Sequence, residues 1–240
     1  MPTAIIFGAS GDIGSAISKE LAKKGYSLYL HSHRHSEKVL KIREEFSGNY
    51  PSQDFFVVSL DMRDVTKIDS FLENIFQVDA LIFAQGDTHY SLLRELPQKR
   101  LEELWQVHLY SPMLLCQKLE NRLAQSNHGR IIFISSVYGL NGSAMEVAYS
   151  TMKSGQIGFV KSYAKEIASR GITINALAAG AVDTKLNKDF TVEDKKRVCE
   201  NIPVGRFAKP EEIAYLTTYL LDDVSDYITG TTITIDGGWT

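Results

Sequence analysis

The stretch Gly8-Ala9-Ser10-Gly11-Asp12-Ile13-Gly14 decides the fold. It follows an apolar run, Thr3–Phe7, that reads as a buried strand. It opens 13–24, which reads as a helix stopped by Gly25. Glycines between a strand and a helix allow unusual backbone angles, let the chain approach a phosphate, and let helix and strand pack closely. The free N–H groups of the helix start can then bind that phosphate. On its own the motif is also compatible with an ordinary Gly-rich turn.

Outward from this turn, short apolar runs alternate with amphipathic ones. Residues 27–30, 55–60, 80–83, 130–135, 172–176 and 232–235 read as further strands. Residues 37–46, 64–76, 98–124, 146–169 and 210–221 read as helices between them. Such alternation predicts right-handed crossovers and an α/β, Rossmann-type doubly wound parallel sheet flanked by helices. Ligands of these sheets bind at the carboxyl ends of the strands.

The second strand ends in His31-Ser32-His33-Arg34-His35, and no acid appears before Glu37. A carboxylate about 20 residues beyond the glycines would bond a free ribose 2′-hydroxyl and repel a 2′-phosphate. Its absence points to NADP(H), with Arg34, Ser32 and His33 at the phosphate. The alternating histidines could also place imidazoles on one strand face as a metal site. No cysteine or acid nearby completes such a set, so no metal is expected.

The bulk properties agree with one domain spanning residues 1–240. The chain is 44% apolar and 23% charged, with a net charge of −3. A pI near 6.1 argues against a nucleic-acid binder. Cys116 and Cys199 are far apart and match no metal-ligand spacing, which fits a reducing, cytoplasmic setting. The start of the chain has no basic, apolar leader pattern. No window approaches the roughly 18 apolar residues of a membrane span.

Tyr149 and Lys153 lie four residues apart in a helical stretch, hence on one face. A phenol with a pKa near 10 is a poor neutral-pH catalyst unless its surroundings tune it, and an ammonium nearby would lower that pKa. Ser136, just after the strand 130–135, can donate a hydrogen bond to a carbonyl oxygen. A Tyr/Lys pair alone is common on helix surfaces. The Gly-rich turn, the serine and the pair in this order are not.

Over nearly its whole length the sequence resembles the short-chain dehydrogenase/reductases. The matching segments are Gly8 to Gly14, Asp61-Met62, Ser136, Tyr149-Ser-Thr-Met-Lys153, 175–184, and Tyr227-Ile-Thr-Gly230 through Asp236-Gly-Gly238. The resemblance implies an NADP(H)-dependent carbonyl reductase in which Tyr149 is the general acid. Lys153 would lower its pKa and hold the nicotinamide ribose, and Ser136 would polarise the carbonyl. Cofactor contacts are implied at Gly8, Ser10, Gly11, Asp12, Ile13, Gly14, Asp61, Met62, Ala84, Gln85, Gly86, Ala179, Gly180, Val182 and Thr184, with Tyr149 and Lys153.

The departures are Phe7 before the first glycine, Gly11-Asp12 at the second, Phe83-Ala84-Gln85-Gly86 after the fourth strand, and Ala179-Gly180 after the sixth. Asp12 would bring negative charge near a pyrophosphate. The family's asparagine in the long helix is replaced by His108. His108 could shuttle a proton itself or be a buried structural histidine.

Two subgroups are similar. Residues 129–132 and 168–175 resemble the 3-oxoacyl-[acyl-carrier-protein] reductases, whose carrier would face Arg130 and Arg170. His108-Leu-Tyr-Ser111-Pro112, Glu146-Val-Ala-Tyr149-Ser150 and 180–184 resemble the elongation factor P 5-aminopentanone reductases. Glu146, one turn before Tyr149, would suit a cationic aminoketone; it could equally be a solvated residue at a helix start. The substrate is thus a ketone carried on elongation factor P or on acyl carrier protein. The polar segment 186–207 would be a substrate lid. Apolar residues on more than one side of 98–124 imply, by resemblance, a homotetramer. A non-catalytic NADP(H)-binding regulator is the alternative from another class.

Overall fold

Strand β1 (Thr3–Phe7) is buried at every residue because both its faces are covered. Ile5 and Phe7 point into one apolar layer and Ala4 and Ile6 into the other. That is why the strand reads as a continuous apolar run rather than an alternating one. The computed structural model describes residues 1–126, 128–187 and 190–240, and of Leu186 the backbone only.

After β1 come α1 (Asp12–Lys23), β2 (Ser27–Ser32), α2 (Ser36–Asn49), β3 (Phe55–Ser59), α3 (Ile68–Leu72) and β4 (Ala80–Phe83). Helix α4 (Gln98–Trp105), a π-helical turn (Gln106–Tyr110) and α5 (Ser111–Leu123) lead to β5 (Gly129–Ser136). Then follow α6 (Tyr138–Asn141), α7 (Val147–Ile167), β6 (Ile172–Ala179), α8 (Val192–Glu200), α9 (Pro210–Leu220) and β7 (Thr232–Ile235).

The strands form one parallel sheet in the order β3-β2-β1-β4-β5-β6-β7. The chain order reverses between β1 and β4, so the crevice at their carboxyl ends is the switch point where such sheets bind ligands. One face carries α3, α5 and α7 through Phe71, Leu115, Leu119, Ile157 and Val160. The other carries α1, α2 and α9 through Ile17, Leu21, Val39, Phe46 and Ile213. The predicted α/β class and the doubly wound sheet are what is observed.

Most element bounds agree with the sequence reading, with physical exceptions. Strands β2 and β6 run further, to Ser32 and Ala179, because their last residues remain paired to β3 and β5. The helix expected over 98–124 is interrupted by the π-helical turn. Pro112 causes the break. It has no N–H for the carbonyl of His108 four residues earlier, so regular α-helical bonding cannot continue there. No helix among the described residues is long and apolar enough to cross a membrane.

Candidate active site

The carboxyl ends of β4, β5 and β6 open into a cavity of about 1040 Å3, lined by Gly86, His108, Ser136, Glu146, Tyr149 and Lys153 among others. Ser136 sits at the tip of β5 and accepts a hydrogen bond from the Tyr138 N–H at 3.1 Å. Helix α7 places Tyr149 and Lys153 one turn apart. Gly139 fixes the depth of that helix: a side chain there would lie 2.8 Å from the carbonyl carbon of Lys153. Lys153 is buried, and its Nζ donates to the Ile134 carbonyl at 2.8 Å.

These contacts tune both groups. Burial, and then the carboxylate of Glu146, push the Tyr149 phenol above its ordinary value, against a hydrogen bond with Ser136 that pulls it down. The phenol therefore keeps its proton through neutral pH and can give it away. Burial lowers the Lys153 ammonium to about 7. The lowering of the Tyr149 pKa expected from Lys153 is not what this arrangement shows. Lys153 Nζ lies over the phenol ring, 5.5 Å from its centre, and bonds the backbone of β5 instead.

His108 is fully buried, with its ring edge-on to Tyr149 at 5.5 Å between centres. Its Nε2 bonds the carbonyl of Asp87 at 2.8 Å. A carbonyl can only accept, so Nε2 carries the proton and Nδ1 is a bare acceptor. Among the described residues Nδ1 has no partner. Burial, followed by the charge of Lys153, lowers the imidazole to about 3, so it is neutral. The two carbonyls loosened by the π turn are filled by side-chain amides. Gln156 Nε2 donates to His108 O at 2.7 Å and Gln85 Nε2 to Val107 O at 3.1 Å.

The cofactor side is built from backbone. Gly8 has φ +83°, and a side chain there would come within 2.7 Å of Gln85 Cα. A side chain at Gly14 would meet Gly8 O at 2.2 Å. Gly11 begins α1 without a side-chain cap, which leaves its first N–H groups available. Asp12 turns away: Oδ2 accepts from the Lys185 N–H at 2.7 Å and Oδ1 lies 3.4 Å from Lys38 Nζ. Ile13, Ala84, Gln85, Gly86, Ala179, Gly180, Val182 and Thr184 line the cavity, as expected of cofactor contacts.

At the end of β2, Ser32 is buried with an Oγ that has no partner among the described residues. His33 and Arg34 are exposed, and Lys38 follows on α2. An orphaned hydroxyl beside cationic side chains fits a 2′-phosphate. The histidine trio does not form. His31 Nδ1 accepts from Gly8 N at 3.2 Å and Nε2 bonds Leu60 O at 2.9 Å, so neither nitrogen is left for a metal. Asp61 is gripped by Arg63 through two side-chain bonds of 2.9 and 2.8 Å. The Met62 side chain is in the core and its carbonyl takes the Ser111 hydroxyl at 2.5 Å, which leaves its backbone N–H as the group for the expected adenine contact.

At the mouth, Glu146 Oε1 accepts from the Thr88 hydroxyl at 2.6 Å, and no described cation pairs with this carboxylate. Tyr90, Tyr138, Phe190 and Trp239 give the same cavity aromatic walls. The segment 186–207, expected as a lid, contributes Asn187, Phe190, Val198 and Phe207 to the cavity; Lys188 and Asp189 lie outside the described residues. Helix α8 within it is started by a Thr191–Asp194 capping box. Arg130 and Arg170, expected at a carrier surface, both make ion pairs within the chain. Arg130 is buried and paired with Asp226, and Arg170 is paired with Glu120 and Asn121.

Gln156, Thr88 and the aromatic walls were not foreseen. Gln156 had a signal: it is three residues past Lys153, on the same helix face. Thr88 had none, because its partner is 58 residues away.

A family model described as "Enoyl-(Acyl carrier protein) reductase" matches residues 8–240. The chain is 37% identical to "Uncharacterized oxidoreductase YmfI" of Bacillus subtilis (strain 168), covering 99% of this chain and 98% of that one. It is 32% identical to the 3-oxoacyl-[acyl-carrier-protein] reductase FabG of Aquifex aeolicus (strain VF5), covering 98% and 95%. Among solved structures, YwfH, an NADPH dependent reductase involved in bacilysin biosynthesis, superimposes with a TM-score of 0.90 at 24% identity, covering 100% and 98%.

Proposed function

Because this chain belongs to the short-chain dehydrogenase/reductase family and is an NADP-dependent oxidoreductase acting on carbonyl groups, we propose that it reduces a cationic aminoketone, and specifically the 5-aminopentanone modification on elongation factor P. The observation that carries this reading is Glu146, a carboxylate lining a cavity with aromatic walls and, among the described residues, in no ion pair. A protonated amine placed there gains a charge-assisted hydrogen bond and cation–π contacts.

NADPH, when bound, supplies the hydride. The uncapped start of α1 and the glycines of the first turn would hold its phosphates, and Ser32, His33 and Arg34 its 2′-phosphate. Ser136 donates to the substrate carbonyl oxygen and orients it. Tyr149 delivers its proton to that oxygen as negative charge develops there. Charged Lys153 stabilises the phenolate left behind. His108, neutral and held by the Asp87 carbonyl, packs edge-on against the Tyr149 ring and keeps it aimed at the substrate.

A second reading is reduction of a 3-oxoacyl group on acyl carrier protein, favoured by the sequence relative of that name. Against it, Arg130 is buried in an ion pair with Asp226, and Arg170 is already paired with Glu120. A non-catalytic regulator would have no need of the assembled Ser136, Tyr149 and Lys153. Exposed Leu101, Trp105, Tyr110 and Met113 along α4, the π turn and α5 are consistent with a homotetramer. The cytoplasm, where the proposed substrate is found, is the proposed location.

The test follows NADPH oxidation with two substrates side by side, an acetoacetyl thioester and elongation factor P bearing the 5-aminopentanone. Preference for the aminoketone is expected. Preference for the thioester would replace this reading by the second and leave Glu146 as a helix-start residue.

A further inference from the structure

Residues 84–90 leave β4 without secondary structure of their own, yet they touch both ends of the site. Gly86, at φ +154°, is pressed against His108; a side chain there would lie 2.5 Å from His108 Cε1. The next two residues each hold a functional side chain. The carbonyl of Asp87 takes His108 Nε2, and the hydroxyl of Thr88 takes Glu146.

What fixes 87–88 lies outside the site, on α4. Arg100 Nη2 donates to Asp87 Oδ2 at 2.6 Å and to the Thr88 carbonyl at 3.3 Å. Its Nη1 donates to Glu103 Oε2 at 2.9 Å, one turn along the helix, which sets the plane of the fork. Arg100 is mostly covered, at 22% side-chain exposure, so these bonds are less screened than surface pairs. Glu103 is further tied to Arg63, 4.0 Å away, which itself grips Asp61.

We infer that Arg100 is a positioning residue for the reaction: a single guanidinium on α4 sets both the hydrogen bond that fixes His108 and the direction of Glu146. This rests on the reductase reading. The two arms separate by chemistry. The Asp87 arm controls the His108 ring that packs edge-on against Tyr149, hence turnover of any ketone. The Thr88 arm controls the carboxylate, hence affinity for a charged ketone alone. Both arms leave from Nη2 while Nη1 is held by Glu103, so the third bond fixes the guanidinium plane; a lysine ammonium has no such plane and, on a shorter stem, keeps the charged Asp87 in preference to the Thr88 carbonyl. A shift of the loop by about an ångström is enough to cost roughly a hundredfold in favourable cases.

The experiment compares wild type with Arg100→Met and Arg100→Lys, and with Arg94→Met as a control on an exposed neighbouring arginine. Each is assayed with NADPH and two ketones of equal shape, cationic 5-(dimethylamino)pentan-2-one and neutral 6-methylheptan-2-one. Arg100→Met should lower kcat on both by about tenfold or more and raise KM severalfold for the amine only, with NADPH affinity unchanged. Arg100→Lys should recover kcat through Asp87 and leave the KM for the amine raised. Arg94→Met should match wild type. Should Arg100→Met fail to fold, Asp87→Asn cuts the same arm from the exposed side and should lower kcat on both ketones. Unchanged constants in Arg100→Met overturn the inference. So does an equal loss on both ketones accompanied by lost NADPH affinity, the signature of general damage. If wild type reduces neither ketone, the reductase reading itself has failed, a result distinct from an active wild type with silent variants.

Discussion

The floor of the cavity and its rim are built in different ways. On the floor, three side chains around Tyr149 are tied to backbone: Ser136 to the Tyr138 N–H, Lys153 to the Ile134 carbonyl, His108 to the Asp87 carbonyl. These groups are buried and come from the ends of β5, from α7 and from the π turn. On the rim, side chains hold side chains, as Thr88 holds Glu146, Arg100 holds Asp87 and Lys195 holds Asp183. A backbone anchor survives most substitutions, whereas a side-chain anchor is lost with one. The floor can therefore keep one chemistry while the rim exchanges one carbonyl substrate for another.

The largest way to break this comparison is Tyr149→Phe. It removes only the proton donor of the floor and should cost about a thousandfold in kcat, read from NADPH oxidation, while NADPH affinity stays near wild type. Strong loss of cofactor binding would show that Tyr149 is structural. Glu146→Gln is the matching change on the rim. It should raise KM for a cationic ketone by about tenfold and leave a neutral ketone of the same shape nearly unaffected, which is the scale of one charge-assisted hydrogen bond. Equal effects on both ketones would erase the division between floor and rim.

The floor was legible in the sequence and most of the rim was not, for a physical reason. Gly8, Gly14 and the Tyr149–Lys153 pair act through local geometry: a positive φ, a close helix–strand approach, a spacing of one turn. Local geometry is written in adjacent residues. The neutral stretch after β2 was equally readable, because a missing carboxylate is visible without a structure. The Arg100–Asp87 and Thr88–Glu146 contacts join segments whose relation only the folded sheet defines. The ion pair of Arg130 was not legible, because its partner Asp226 lies 96 residues away. The π turn was legible in principle, since Pro112 cannot donate to the carbonyl of His108, but helical periodicity across 98–124 masked the break.

The smallest effect is also the one that separates chemistry from stability. Burial lowers Lys153 from an ordinary 10.5 to about 7 in the folded protein. Between those values the unfolded chain holds a proton that the folded chain has released. Unfolding therefore takes up a proton, and the contribution of Lys153 to stability rises with pH from about 7 towards the unfolded value. Catalysis runs the other way. Proton transfer from Tyr149 leaves a phenolate near the Glu146 carboxylate, which raises its pKa; the Ser136 hydrogen bond lowers it, and a charged Lys153, 5.5 Å from the ring centre, would add its attraction once the phenolate forms. The kcat/KM for ketone reduction, which reports the free enzyme, should fall as pH climbs through about 7, while the Lys153 contribution to stability grows. Lys153→Met should abolish the inflection and lose most turnover. A kcat/KM profile flat across neutral pH in wild type would mean that Lys153 is not the group whose charge the floor depends on.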